Sequence, residues 1–446
     1  MKKIFLLMRF ILCAAAAAAQ PVIAFDGGAP KISSMDIKIW LMADNAVTRY
    51  DIVLSNPSAG ILEGEFDFKL QGTQNADSFT VDGEARHAAD GLKTELLLPP
   101  EGERRIQIVL EEKLQNKDGA YYYELPAAAG FKAEDFRLRA EVLRQAAAPE
   151  IKANSFDGFE FARRGGAYAA TFGAKDYEPA GSLAFAAPAE AAAKAFTYYA
   201  DGNTYFFAAA PFEPETGVRN KFKKITLMWD NAPAAQNAQG GYLAFLDEFF
   251  DIYQNIKVDF MTFDGAARRA FKISGGDWRA LKDFISALAY DGGAPQAAAV
   301  KGDAALLFYG APAQSLPALK IKTFPIAAAD SQAEAPLKNA ALKTGGFFVN
   351  LGALGPARAA RAVAAQHYML QSISYDKTKF DEVYPAAPVT AQHILYIAGI
   401  INVKEARLDL HFTAAGRPDI VKRIYIDGKA RSPYARGVFL RAAAAR

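Results

Sequence analysis

The stretch Lys224-Ile225-Thr226-Leu227-Met228-Trp229-Asp230-Asn231-Ala232 constrains this chain more than any other. A run of β-branched and large apolar residues ends in an acidic residue and then in small, polar, proline-containing sequence. That pattern predicts a buried strand delivering a carboxylate to a loop. Beyond a loop rich in Gln, Asn and Gly, Tyr242 to Tyr253 carries apolar residues at helical spacing and so predicts a helix with one wide buried face. Ile256 to Phe263 then alternates into a second strand. Strand, helix and strand within the length of one crossover unit predict a parallel, doubly wound α/β sheet.

This α/β segment is expected over residues 221–375. Ala270-Phe271-Lys272-Ile273 predicts an antiparallel edge strand. A helix follows from Asp277 to Ala289 on Trp278, Leu281, Phe284, Ile285 and Leu288. Asp303 to Gly310 and Leu319 to Ile326 predict two more buried strands. A short helix from Leu337 to Lys343 stops at Thr344-Gly345-Gly346, where glycine can take the left-handed cap conformation. Phe347 to Leu351 is the last strand, and Ala357 to Gln371 the closing helix.

At 446 residues the chain has room for two or three domains. Residues 25–150 predict an antiparallel β-sandwich. Lys38–Leu41, Thr48–Leu54, Leu62–Phe68, Arg105–Leu110, Ala120–Leu125 and Phe136–Val142 each alternate polar with apolar. Asn56-Pro57-Ser58, Asp82-Gly83, Pro99-Pro100 and Asp118-Gly119 separate them as turns. Glu63, Glu65 and Asp67 fall on one side of a strand and are expected on its solvent face. Residues 151–220 form a β-rich connector, with strands at Gly181–Phe185 and Asp201–Phe207. Residues 376–446 form a small β-containing tail.

Fifty-one basic residues against 49 acidic ones give a net charge of +2, which supplies no electrostatic footprint for nucleic acid. The first 24 residues differ from the rest. Lys2, Lys3 and Arg9 precede an apolar run from Phe10 to Ala19, with small-residue cleavage options after Ala19 or Ala24, the pattern of an export signal. The one cysteine, Cys13, lies inside it and follows Leu12, which is too large for a lipid-attachment motif. Removal of the signal leaves a chain without thiol chemistry and without a membrane span, because Ile394 to Val403 is too short to cross a bilayer.

The four histidines, His87, His367, His393 and His411, show no metal-ligand spacing. There is no phosphate-binding Gly-rich loop with its Lys and Ser/Thr, and no Gly-x-Ser-x-Gly elbow.

In this order the pieces resemble the vault and inter-alpha-trypsin inhibitor heavy-chain family, in which a VIT β-sandwich precedes a von Willebrand factor type A domain. The VIT-like residues are Leu54-Ser55-Asn56-Pro57, Glu63 to Phe68, and Asp118-Gly119-Ala120-Tyr121 leading to Glu124-Leu125-Pro126. Asp201 to Phe206 and Pro211 resemble the family's connector. Ile225 to Asp230, Lys257 to Phe263 and Leu337 to Phe348 resemble the type A part. The resemblance implies a cation site at the carboxyl ends of the strands, built from an Asp-x-Ser-x-Ser loop, a threonine and a second aspartate. Here the first aspartate is Asp230, but the serine positions read Ala232 and Ala234, the threonine position Ala294 and the final aspartate position Tyr309. Alanine lacks the oxygens a hard cation requires, so the degenerate site is expected to hold no metal, and no cofactor is implied.

The export signal, the resemblance and the missing catalytic sets together predict an exported, non-enzymatic interaction or scaffold protein of the cell envelope or exterior, periplasmic, surface-bound or secreted. It would bind another protein without a metal ion. Its contact candidates lie at the crevice above the strands' carboxyl ends: Asp230, Asn231, Gly292, Gly293 and Tyr309. The competing expectation is a secreted glycosidase-like hydrolase that uses two carboxylates of the sandwich. A purely structural envelope component is the third.

Overall fold

The computed structural model describes residues 21–26, 30–70, 74–86, 92–126, 132–292, 300–310, 319–328, 338, 341, 344–391 and 393–444. The residues from 1 to 20, Gly293, Ala294 and most of the short helix expected at 337–343 lie outside them. Strands hold 54% of the residues and helices 15%, so the chain is mostly β, in several sheets. It divides into two compact units, Met1–Ala189 and Glu190–Arg446.

The first unit is built on an eight-stranded sheet. Its order is Ala162–Arg164, Ala167–Tyr177, Ala133–Leu143, Lys31–Met42, Asn45–Ser55, Glu103–Lys113, Gln74–Val81 and Glu84–Ala85. Its long strands bury alternate residues, as Ile106, Ile108 and Leu110 do in Glu103–Lys113. Leu62–Phe68 lies between Pro21–Asp26 and Leu92–Leu98 in a three-stranded sheet. Asp82-Gly83 and Asp118-Gly119 have positive φ at both residues, as two-residue hairpin turns require.

Two sequence expectations are corrected in this unit. Ala133–Leu143 runs parallel to Lys31–Met42, so the sandwich is not wholly antiparallel. Residues 151–188, expected as connector, are part of it: Ala167–Tyr177 pairs with Ala133–Leu143, and Ser182–Pro188 with Ala120–Pro126. Ala167–Tyr177 is alanine-rich and lacks the aliphatic alternation that marks a strand in isolation. Its long-range pairing supplies what its own pattern does not.

The second unit contains a six-stranded sheet in the order Arg268–Ile273, Ile256–Thr262, Lys224–Trp229, Ala304–Tyr309, Lys322–Ala327, Val349–Asn350. All pairs are parallel except Arg268–Ile273, the antiparallel edge that the sequence predicts. Helix Gln239–Ile252 places Tyr242, Phe245, Leu246, Phe249 and Phe250 on one stripe. They pack on Leu227, Trp229, Phe260, Leu306 and Phe308 together with helices Arg279–Ser286 and Pro356–Ala364. The opposite face buries Met228, Met261, Leu307 and Tyr309 against Phe348 and neighbouring loop residues. Helices Gln239–Ile252, Arg279–Ser286 and Pro356–Ala364 thus share one face, and the doubly wound arrangement expected from sequence is not shown.

The closing helix is also shorter than expected. It starts at Pro356 after Gly355 and ends at Ala364, because Ala365–His367 pairs with Glu215–Arg219 and Met369–Ser374 with Ala406–Thr413. These pairings override the helical pattern of the alanine-rich sequence before them. Likewise the last strand is only Val349–Asn350.

The remainder of the unit is a second β layer pair. Asn203–Pro211 lies between Lys194–Ala200 and Ile394–Ile401, and Ile394–Ile401 pairs on its other side with Phe380–Tyr384. Facing them in one core are Leu370, Leu408, Leu410, Phe412, Ile424 and Ile426 of the other sheet. The second half of the expected connector and the tail thus form one structure around the α/β sheet.

Candidate functional site

The parallel strands end at one crevice. Lys224–Trp229 delivers Asp230 and Asn231 to it, Ile256–Thr262 delivers Asp264, and Ala304–Tyr309 delivers Gly310. Asp230 is 6% exposed, and its carboxylate is held by backbone donors. Oδ1 accepts the Ala232 N–H at 3.0 Å and Oδ2 the Gly310 N–H at 3.1 Å. The first contact is an Asx turn, in which the side chain bonds the backbone two residues on. The second crosses to the neighbouring strand end and ties the two loops together. Glycine is needed at 310, since a Cβ there would lie 2.5 Å from the Ala235 Cα.

Asn231 is 5% exposed. Its Nδ2 donates to Asp264 Oδ2 at 3.0 Å, and its backbone carbonyl accepts the Gly292 N–H at 3.0 Å. Asp264 Oδ1 in turn accepts the Thr262 hydroxyl at 2.7 Å and the Ala266 N–H at 3.0 Å. The Asn231 side chain lies so close over Gly292 that a Cβ there would meet Nδ2 at 2.3 Å. Its Oδ1 is buried and accepts no hydrogen bond among the described residues. A buried acceptor left unpaired costs about 1–3 kcal/mol, so it stands out at a strand-end crevice.

Tyr309 is 4% exposed, and its ring packs 5.6 Å from that of Phe263. Its backbone carbonyl accepts the Tyr242 hydroxyl, which also accepts the Ala328 N–H at 3.2 Å. Tyr309 therefore supports the crevice from the core and is not presented at its surface. Burial first, and the Asp230 charge second, push its hydroxyl from the ordinary 10.0 to about 12.

This shift carries a stability prediction with a definite sign. Below pH 10 both folded and unfolded chains keep the proton. Above it the unfolded chain releases the proton first, so the folded state loses about 1.4 kcal/mol per pH unit for this group until pH passes its folded value. Burial raises Tyr242 and Tyr253 in the same direction. Urea unfolding from pH 9 to 11 is expected to show stability falling above pH 10, with a shallower fall in Tyr309→Phe; equal slopes in both proteins would remove Tyr309 from the account.

The structure thus brings together Asp230, Asn231, Gly292 and Tyr309 of the expected crevice, while Gly293 lies outside the described residues. Sequence reasoning did not assign Asp264, Thr262 and Gly310 their places in the network. The Thr-x-Asp-Gly order at 262–265 is a turn signature that could have marked the first two. Asp230 spends two of its lone pairs on backbone N–H groups, and Ala232 contributes only its N–H. No group of 3 or more His, Cys, Asp or Glu placed to share a metal ion occurs among the described residues.

The carboxylates invoked for a hydrolase lie elsewhere. Glu63, Glu65 and Asp67 alternate with buried Leu62, Phe66 and Phe68, and Glu65 is ion-paired with Lys93 at 2.8 Å on an open face. No helix among the described residues is long and apolar enough to cross a membrane.

No known family profile matches the chain, and no curated protein matches it. Solved structures with partial likeness include a Legionella pneumophila protein provisionally named as nutrient binding. It is 11% identical, covering 38% of this chain and 70% of its own, with a TM-score of 0.30. An M1 zinc metallopeptidase from Deinococcus radiodurans is 14% identical, covering 52% of this chain and 56% of its own, with a TM-score of 0.26. The SpRpn10 VWA domain is 10% identical, covering 32% of this chain and 94% of its own, with a TM-score of 0.22.

Proposed function

We propose that the chain is an exported, metal-independent binding or scaffold protein of the cell envelope or exterior. It would recognise another protein through the crevice at the carboxyl ends of its parallel strands. On this reading the first unit is VIT-like and the six-stranded sheet is von Willebrand A-like with a degenerate cation site. The observation that carries the reading is the unpaired Asn231 Oδ1, buried beside Asp264 and Gly292. A partner segment that parts the cover over Asn231 would bring a backbone or side-chain N–H to that acceptor, with the half-buried Asp264 beside it to fix the orientation. The engagement of Asp230 by two N–H groups supports recognition without a cation.

The test is capture of proteins from an envelope extract on immobilised residues 25 to 446, with and without EDTA, using wild type and Asn231→Ala. Equal retention of one protein in both arms, reduced at least about tenfold by Asn231→Ala, is expected for loss of a buried hydrogen-bonded contact. Retention abolished by EDTA, or indifferent to the substitution, would count against this crevice as the metal-independent interface.

A further inference from the structure

The second unit has a half-open cavity of about 250 Å³ at the opposite end of its parallel sheet from the crevice. One wall comes from Lys322 and Phe324, at the start of strand Lys322–Ala327, and from Phe347, two residues before strand Val349–Asn350. The other comes from the flanking β layers, through His367, Met369 and Thr390. The Phe347 ring stacks on the His367 imidazole at 4.6 Å and meets Phe324 edge-on at 5.1 Å, so one side of the space is aromatic, while Asn220, Gln366, Gln371, Thr390 and Thr413 make much of the rest polar. His367 is committed to the wall, with its ring nitrogens 3.2 Å from the Ala362 carbonyl oxygen and 3.5 Å from that of Ala391. Burial lowers its pKa, so it does not add a cation at neutral pH.

Lys322 is the exception in this lining. Burial depresses its pKa, and no compensating charge accompanies that shift. Among the described residues no carboxylate reaches it, and no Asp or Glu lines the cavity. Other lysines of the same unit behave differently. Buried Lys194 pairs with Glu190 at 3.5 Å, Lys282 with Asp247 at 3.0 Å, and Lys422, whose pKa burial also lowers, donates to the Pro211 carbonyl. A partly desolvated ammonium with no counter-charge is unfavourable until an anion joins it.

From this geometry we propose that the cavity is a binding site for a small monocarboxylate, with the carboxylate on the Lys322 ammonium and an apolar or aromatic body against Phe324, Phe347 and Met369. Gln366 and Thr413, also in the lining, bring an amide N–H and a hydroxyl to the same space. A single ammonium suits a single negative charge. A phosphate group ordinarily collects several cationic partners, and among the described residues Lys322 is the one lysine or arginine of this lining. The volume of about 250 Å³ accommodates a ligand the size of benzoate or 3-phenylpropionate.

The experiment titrates the full chain with acetate, benzoate and 3-phenylpropionate by calorimetry at pH 7.5, with benzamide and phenyl phosphate as controls. Saturable binding of an aromatic carboxylate is expected, with benzamide and phenyl phosphate at least about tenfold weaker. Lys322→Met should weaken that binding at least about tenfold, as loss of a charge-assisted partner implies, and Asn231→Ala should leave it unchanged. No saturable binding by any of the three carboxylates, or equal binding by Lys322→Met, overturns the proposal; tighter binding of phenyl phosphate overturns the carboxylate assignment. A measurement on wild type alone removes dependence on how the variant folds. Acetylation of Lys322 by acetic anhydride, read by mass spectrometry, should slow several-fold in saturating benzoate, and an unchanged rate equally overturns the site. Because Asn231 and Lys322 stand at opposite ends of the sheet, loss of partner capture and loss of carboxylate binding are read separately.

Discussion

Phe308→Ala is expected to lower the stability of the second unit by about 3–5 kcal/mol, the usual cost of emptying a buried phenylalanine site. Phe308 is 0% exposed and stands at the centre of an aromatic cluster. Its ring lies 4.9 Å from Trp229, 5.2 Å from Tyr242 and 5.9 Å from Phe245. These neighbours come from the adjacent parallel strand and from the helix above it. Rigid elements on two sides prevent collapse into the space, so the cavity term adds to the lost transfer energy. Trp229 reports the change directly: near-UV dichroism and indole fluorescence should show an earlier urea midpoint. A midpoint shift worth less than about 1 kcal/mol would mean that the site relaxes and that this core is more plastic than its ring contacts imply.

Gly346→Ala is expected to be at least as damaging, for the opposite reason. A Cβ at this position would stand 1.8 Å from the Thr323 carbonyl oxygen and 2.7 Å from its carbon. The obstacle is backbone, and it belongs to a strand held between Ala304–Tyr309 and Val349–Asn350. Relief demands displacement of that strand, at a cost of about 3 kcal/mol or more. Gly355→Ala is the control: its φ is 71°, and nothing lies within 4 Å of the added carbon. There only backbone strain applies, since φ 71° with ψ 157° is a conformation essentially confined to glycine, at a cost of about 1–3 kcal/mol. Thermal unfolding and soluble yield of the two variants should separate clearly; similar losses in both would place the cost in backbone conformation instead of the collision with Thr323.

The sequence made some of this legible and hid the rest for identifiable reasons. Leu227, Trp229, Phe260 and Phe308 announce themselves because central parallel strands are apolar on both faces, and the Tyr242-to-Phe250 stripe because a one-sided helix repeats at three and four. Asp230 was readable as a strand-end carboxylate. Its employment by the Ala232 and Gly310 N–H groups was not, since Gly310 comes from a strand 80 residues away. Tyr309 was legible as the residue facing Asp230, but burial against Phe263 turned an expected contact into a support. The helix expected through Gln371 failed because pairing of Ala365–His367 with Glu215–Arg219 depends on partners about 150 residues upstream, beyond any local window. Lys322 gave no signal at all, because one lysine among apolar strand residues ordinarily marks a solvated edge.

The pairing of Asn203–Pro211 with Ile394–Ile401 has a consequence for the order in which the chain can assemble. The first of these strands leaves the ribosome almost two hundred residues before the second, and until then one of its edges has no hydrogen-bonding partner. The six-stranded sheet sits wholly inside that interval, as an insert in a frame that its own folding cannot close. High contact order of this kind makes the closing step slow and leaves an unsatisfied edge exposed while it waits. Shortening the chain at its carboxyl end therefore removes the latch of the frame, so the last seventy residues act as the piece that ends folding instead of as an appendage.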